Sequence, residues 1–274
     1  MIIKIWDIVF AHAKGCGDGS GLNPPKKIQW VRNGPDTDIT FYTDQNLGDH
    51  RIPDIKNSPA KKKIAWIIEP QIINQSPYNW IKDNYKLFDK VITHHKHLLS
   101  IDQRFIYGPI GGCWVPENQH KYNGPRNGQF SLIASWKLMT PMHQMRHDIM
   151  RLFGQKYGIE GYGEAFNRHV KFKHEVLNNY RYNIVVENCS VAGYFTEKLL
   201  DCIAAYCVPI YYGDPDIRQI FDIPTFTTLD ELENLLKNPP LINYSTLEMN
   251  YNIGKQYFIP EDWIYDNVIE TLRG

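Results

Sequence analysis

Short runs of apolar residues alternate with amphipathic stretches along the whole chain. Residues 2–10 carry the first such run and read as a strand, with a glycine-rich segment at 15–21 behind it. Residues 39–42 form a second strand that ends on Thr43 and Asp44. Residues 64–68 are nearly continuous in apolar side chains, as a strand covered on both faces is, and Pro70 after Glu69 stops the ladder. Residues 91–93 give a fourth. Strands alternating with helical stretches predict a parallel α/β domain over roughly the first 120 residues.

Residues 122–128 are dense in turn formers and mark a linker. A second α/β unit follows, with strands at 130–134, 182–186 and 208–212. Met145, Ile149, Leu152 and Phe153 recur at helical spacing, and Leu199, Leu200, Ile203 and Ala204 give another helix one apolar face. Thr228 with Glu231 reads as a capping box opening a helix that runs through Lys237 and stops at Pro239 and Pro240. The last helix starts near Pro260 and lines up Ile264, Val268, Ile269 and Leu272. The expected architecture is α/β: two Rossmann-like domains facing a central cleft. Their expected spans are 1–123 and 124–256, with 257–274 a C-terminal helix that is a candidate to pack back on the first domain.

Composition narrows the partners. The 274 residues hold 30 Lys+Arg and 30 Asp+Glu, a formal charge of zero. That balance argues against a global grip on nucleic acid or anionic lipid. No apolar run approaches the ~20 residues of a membrane-spanning helix, so no stable membrane insertion is expected. The first residues lack the basic-then-apolar order of a signal peptide. Cys16, Cys113, Cys189, Cys202 and Cys207 are odd in number and widely spaced, which suits a reduced compartment better than a disulfide or zinc framework. Cys189 has no neighbouring histidine and receives no catalytic role. The 17 tyrosines suit packed cores, and equally a cleft that stacks on bases or sugars; composition does not separate the two.

Several candidate motifs fall away. In the 15–21 segment the third glycine of a dinucleotide fingerprint is missing, Ser20 or Leu22 standing there, so a loop, a candidate lid, is the better reading. His94-His95-Lys96-His97 has no carboxylate or cysteine at ligand spacing and reads as a solvated loop. Lys61, Lys62 and Lys63 read as the exposed start of a strand. Asp214-Pro215-Asp216 has the spacing of a metal-binding pair, but its turn context favours capping, so no metal site is expected.

One constellation is of a different quality. Tyr182-Asn183-Ile184-Val185-Val186-Glu187-Asn188-Cys189-Ser190 is followed by Gly193-Tyr194-Phe195-Thr196-Glu197-Lys198 and by Val208-Pro209-Ile210-Tyr211-Tyr212-Gly213. It reads as strand, loop, helix, strand, with polar residues at the strand's carboxyl end, where open α/β sheets bind ligands. Thr196 is placed to cap the helix, whose free N–H groups and dipole favour an anion. Lys198 in the first turn opposes that dipole at a cost on the order of a few tenths of a kcal/mol, which a bound anion would reverse. Tyr194 offers a hydroxyl to the same anion.

This segment resembles glycosyltransferase family 10, the α-1,3/1,4-fucosyltransferases. Val186-Glu187-Asn188 has Val where the family has Phe, Cys189 stands for the usual Ser, and Tyr194 to Lys198 match as they stand. Residues 131–135 with Arg146 look like the segment whose arginine contacts the donor diphosphate. Tyr162-Gly163 and Lys173 also fit, and Trp66-Ile67-Ile68-Glu69-Pro70 is similar to the strand end that carries the catalytic base.

The resemblance implies a GT-B fold and an inverting transfer of fucose from GDP-fucose to a glycan hydroxyl, with no cofactor required. Glu69 would be the base, though the residues alone allow an exposed strand-end carboxylate. Arg146, Tyr194, Lys198 and the helix N-terminus capped by Thr196 would hold the diphosphate, and Glu197 would sit beside the sugar. Glu187 and Asn188 would support the donor pocket, Glu187 equally well serving as a structural hydrogen-bond acceptor. The 15–21 loop and residues 71–79 are expected to frame the acceptor side. Without the anchor and stem of Golgi members, the expectation is a soluble cytoplasmic enzyme of a bacterium or a virus-infected cell. Two readings stay open beside it: a GT-B transferase using another GDP-sugar such as GDP-mannose, and a catalytically silent nucleotide- or glycan-binding protein.

Overall fold

The computed structural model describes residues 1–7 and 22–272. The glycine-rich loop at 15–21 and the end of the expected first strand, 8–10, lie outside the described residues. The chain divides into two compact units: Met1–Gly112 with Ala192–Tyr194 and Tyr257–Gly274, and Cys113–Val191 with Phe195–Gln256.

The first unit is built on β1 (Ile2–Trp6), β2 (Gln29–Val31), β3 (Ile39–Thr43), β4 (Lys62–Trp66), β5 (Lys90–Thr93) and β6 (Phe105–Tyr107). Among the described residues they form one parallel sheet in the order β2-β1-β3-β4-β5-β6. Helices α1 (Ile52–Asn57), α2 (Ser76–Asn84) and α3 (Lys96–Leu99) lie between strands. Every residue of β3 is buried, because it lies inside the sheet with both faces covered. Tyr42, Ala65, Ile67, Tyr78, Ile81 and Val91 meet in one core. The helix Pro260–Ile264 belongs to this unit: Asp262 accepts the backbone N–H groups of Lys26 and Lys27 at 2.9 and 3.0 Å, and Trp30 donates to Glu261 at 3.1 Å.

The second unit carries β7 (Gly128–Ile133), α4 (Pro141–Tyr157), β8 (Ile159–Tyr162), α5 (Lys173–Leu177), β9 (Tyr180–Val186), α6 (Glu197–Ala204), β10 (Val208–Tyr212), α7 (Leu229–Lys237) and α8 (Tyr244–Gly254). Its sheet is again parallel, in the order β10-β9-β7-β8. Phe130, Leu132, Ile149, Ile184, Ile210 and Leu232 form the centre of its core.

Local differences from the sequence reading have simple causes. β2, β6 and β8 are three or four residues long, too short for a period to show, and are held by their neighbours' ladders. β4 takes in Lys62 and Lys63, whose ammonium groups reach Asp89 at 3.2 Å and the Ile55 carbonyl at 3.1 Å. Thr228 does cap α7 through the Glu231 N–H, but the Glu231 carboxylate turns to the N–H and hydroxyl of Thr227, so only half of the box forms. No helix among the described residues is long and apolar enough to cross a membrane.

Candidate active site

In the second unit the connection from β7 leads through α4 to β8 on one side, while that from β9 leads through α6 to β10 on the other. The order therefore switches between β7 and β9, and loops leaving their carboxyl ends diverge to leave a crevice there. Both helices begin at that edge. Thr140 caps α4: its hydroxyl accepts the His143 N–H at 3.3 Å, and His143 Nδ1 accepts the Thr140 N–H at 3.2 Å. Thr196 caps α6, accepting the Lys198 N–H at 3.4 Å. Two capped helix N-termini thus direct partial positive charge at one place.

The polar residues around them interlock. Arg146 in α4 is buried and donates from Nε and Nη2 to the Val186 carbonyl at 3.1 and 2.7 Å, and from Nη2 to Asn188 Oδ1 at 2.9 Å. It fixes the end of β9 and the direction of Asn188. Glu187 is fully buried, and its two oxygens accept the N–H and the hydroxyl of Thr196, both at 2.8 Å. That is the structural hydrogen bond left open by the sequence, and it pins the α6 N-cap to β9. Burial pushes the Glu187 carboxyl above its ordinary pKa. Gly213 belongs to the same arrangement, since a Cβ there would lie 2.3 Å from Tyr211 Oη and 2.6 Å from Glu187 Cγ. Gly163 has φ +93°, and a Cβ would come 2.3 Å from the Ala134 carbonyl oxygen in the loop after β7.

Lys198 lies 3.1 Å from Thr196 Oγ1, 3.2 Å from Glu197 and 3.6 Å from Glu187. Lys198 therefore does not meet the helix dipole alone, since two carboxylates already stand beside it. Glu197 also meets Lys173 at 3.5 Å, and Lys173 pairs with Asp201 at 2.8 Å and stands 4.3 Å over the Trp114 ring. Burial works against the charge on Glu197, but Lys198 and Lys173 overcome it and hold the carboxyl well below its usual range. Asp201 and Trp114 escaped the sequence reading. The available signal was Asp201 itself, four residues after Glu197 in an α6 otherwise lined by apolar residues. Nearby, His143 is pushed down to about 4 by burial, then by the charges of Arg146, Lys198, Lys137 and His147, which marks the α4 N-terminus as electropositive.

Glu69 lies in the first unit, just beyond the carboxyl end of β4, and is half-buried. Its carbonyl accepts the Tyr78 hydroxyl at 2.8 Å, and its N–H donates to Asp44 Oδ1 at 3.3 Å. Tyr194 groups with this unit and not with Arg146 and Lys198, its ring tilted on His94 with centroids 5.1 Å apart. The reading of residues 94–97 as a solvated loop is corrected for His94, which is buried, lies 3.3 Å from the Tyr78 hydroxyl through Nε2, and is held neutral by burial with a pKa lowered to about 3. The buried stretch of β5 extends one residue past the strand's end and takes in His94. His95 meets Gln71 at 3.0 Å. Asp214 accepts the Asp216 N–H at 2.8 Å and so shapes the turn after β10.

Comparison with known proteins bears on the same residues. Residues 131–258 match the model of glycosyltransferase family 10 (fucosyltransferase), C-terminal part. The chain is 30 % identical over 145 residues to the α-(1,3)-fucosyltransferase FucT of Helicobacter pylori, a match covering 52 % of this chain and 29 % of that protein, so less than a third of the relative's length is spanned. Two crystal structures of an α1,3-fucosyltransferase, one alone and one with GDP, superpose with TM-scores of 0.62 and 0.60. They are 18 % and 17 % identical, each covering 99 % of this chain and 89 % of the other, a likeness that establishes the GT-B fold. The segment that builds the crevice between β7 and β9 is thus the part of the chain that matches the C-terminal model of glycosyltransferase family 10.

Proposed function

We propose that the protein is an inverting glycosyltransferase that moves fucose from GDP-fucose to a hydroxyl of a glycan acceptor in one displacement. The observation that carries this reading is the α6 N-terminus. Within the family segment, Thr196, Glu197 and Lys198 stand ordered at the crevice with every partner in place.

The chemistry needs a base for the acceptor and positive charge for the leaving group. The acceptor O–H gives its proton to Glu69, its oxygen forms the bond to the anomeric carbon, and the bond from that carbon to the β-phosphate breaks with its electron pair passing to GDP. A sugar hydroxyl is a poor nucleophile at neutral pH, so a positioned carboxylate contributes directly. Lys198, Arg146 and the two helix N-termini receive the charge that collects on the diphosphate. Glu197, kept ionised by Lys173 and Lys198, suits the positive character that develops on the sugar ring. Asn188, Thr196 and Glu187 hold these groups in register, and Tyr194 stays in the donor set on the strength of the family pattern. The four described cysteines are buried thiols outside any disulfide among the described residues, in keeping with a cytoplasmic place of work.

The test is a transfer assay on the purified chain with GDP-fucose, GDP-mannose and other nucleotide sugars, paired with thermal shift against each. Stabilisation and turnover with GDP-fucose is the expected result. Turnover with a different GDP-sugar reassigns the donor, and binding with neither hydrolysis nor transfer overturns the enzymatic reading.

A further inference from the structure

We propose that Asp44 is the positioning residue for Glu69: its buried carboxylate holds the backbone that carries Glu69 and, when ionised, makes Glu69 the stronger base. The inference rests on Glu69 being the base of the proposed reaction.

Asp44 follows β3, the neighbour of β4, and so occupies the same edge of the sheet as Glu69. It is 1 % exposed. Its Oδ1 accepts the N–H of Ile68 at 2.9 Å and of Glu69 at 3.3 Å, clamping the segment where β4 has ended and no ladder holds it. Its Oδ2 is buried with no hydrogen-bond partner among the described residues. Its backbone has φ +38°, a left-handed conformation that a non-glycine residue keeps only where its surroundings impose it. A buried carboxylate with one oxygen unsatisfied is costly, and tertiary packing alone gives no reason to keep an ionisable group there.

Among the described residues, Glu69 is the charged group that Asp44 senses. Asp7 at the end of β1 is engaged by Arg32 at 2.8 Å. Arg51, in the turn before α1, is occupied by Asn46 and Asp54. From beyond β5, His94 is neutral, and Tyr78 of α2 spends its hydroxyl on the Glu69 carbonyl. Burial, and after it the charge of Glu69, lifts Asp44 to about 7 against the pull of the two N–H groups. The coupling is reciprocal: above that pH a charged Asp44 disfavours the ionised form of Glu69 and so raises its proton affinity.

The test compares the pH profile of kcat for the full chain and for Asp44→Asn, which keeps an oxygen for the two N–H groups and tolerates the left-handed backbone. The wild-type rate is expected to rise roughly three- to tenfold through pH 7, and the variant to lose that step, retaining the lower rate from pH 6 to 8. A variant that is slowed equally at every pH, with the step near 7 intact, overturns the proposal and leaves Asp44 a structural residue. Independently of turnover, carboxyl carbon NMR of Glu69→Gln should show the Asp44 midpoint falling below its wild-type value; an unmoved midpoint also overturns it. This second measurement serves if Asp44→Asn does not fold. A wild-type protein inert toward every GDP-sugar removes the base reading of Glu69, and the inference with it, while a moved midpoint in the same NMR series would still report the carboxyl pair as coupled.

Discussion

Replacing Lys198 by alanine has two consequences that can be measured apart. The side chain is 25 % exposed, and its ammonium is shared by Thr196, Glu197 and the fully buried Glu187. Removing it leaves Glu187 buried without its cation, a loss on the order of 2 kcal/mol once partial exposure is allowed for. For a chain of this size that lowers Tm by roughly 5 °C. If the same ammonium holds the diphosphate, a charge-assisted hydrogen bond worth about 1.5–3 kcal/mol is also lost, so the Kd for GDP rises roughly 10- to 150-fold. Isothermal calorimetry reads the second effect and differential scanning fluorimetry the first. Adding Glu187→Gln to Lys198→Ala takes away the stranded charge and should recover part of the Tm without restoring GDP binding. A folded Lys198→Ala protein that binds GDP within twofold of wild type refutes the assignment. So does a double variant whose affinity returns with its stability.

Glu69→Gln should bind GDP as wild type does in calorimetry and lose transfer by at least about a hundredfold, in line with removal of a general base; turnover near the wild-type rate would place the base elsewhere. Gly213→Ala forces a methyl group toward Tyr211 and Glu187, and is expected to cost about 1–3 kcal/mol by chemical denaturation and to weaken GDP binding with it, because the α6 cap hangs on Glu187. GDP binding measured with and without EDTA should be the same within error, since Arg146, Lys198 and two helix N-termini supply the positive character at the crevice; a loss of affinity on chelation would require a bound cation.

The sheet strands that are long and central were legible because burial on both faces writes a mostly apolar run, as in β3 and β9. The same rule failed for β2, β6 and β8, where the neighbours' hydrogen bonds decide and the side chains carry no period. At the site, the residue types and the capping role of Thr196 could be read because a cap is a local matter of spacing. What spacing cannot tell is who neutralises whom. Lys198 looked like a cation in search of an anion, whereas Glu187, eleven residues earlier, and Glu197 beside it stand within 3.6 and 3.2 Å. Tyr194 sits four positions from Lys198 but packs with the other unit, since the short stretch Ala192–Tyr194 crosses out of the domain that precedes and follows it. Asp44 had no motif to announce it. Its importance comes from two adjacent strands ending at the same height, which only the register supplies.

The balance of charge at the α6 N-terminus then takes on meaning for the proposed reaction. Lys173 and Lys198 pair with Glu187, Glu197 and Asp201, so these side chains add no excess positive charge, and a ground-state anion is attracted mainly by Arg146 and the helix N-termini. The adjacent pair Glu197 and Lys198, 3.2 Å apart, is instead a fixed dipole. As the glycosidic bond of the donor lengthens, negative charge grows on the diphosphate and positive charge on the sugar carbon, a dipole of the opposite sense. A dipole held in place by Lys173, Thr196 and Glu187 stabilises that separation without reorganising at the moment of reaction, and gains less from the uncharged sugar of the ground state. On this reasoning the carboxylates around Lys198 do not compete with the substrate for its charge. They orient the ammonium, so that its interaction with the diphosphate is strongest where the barrier is.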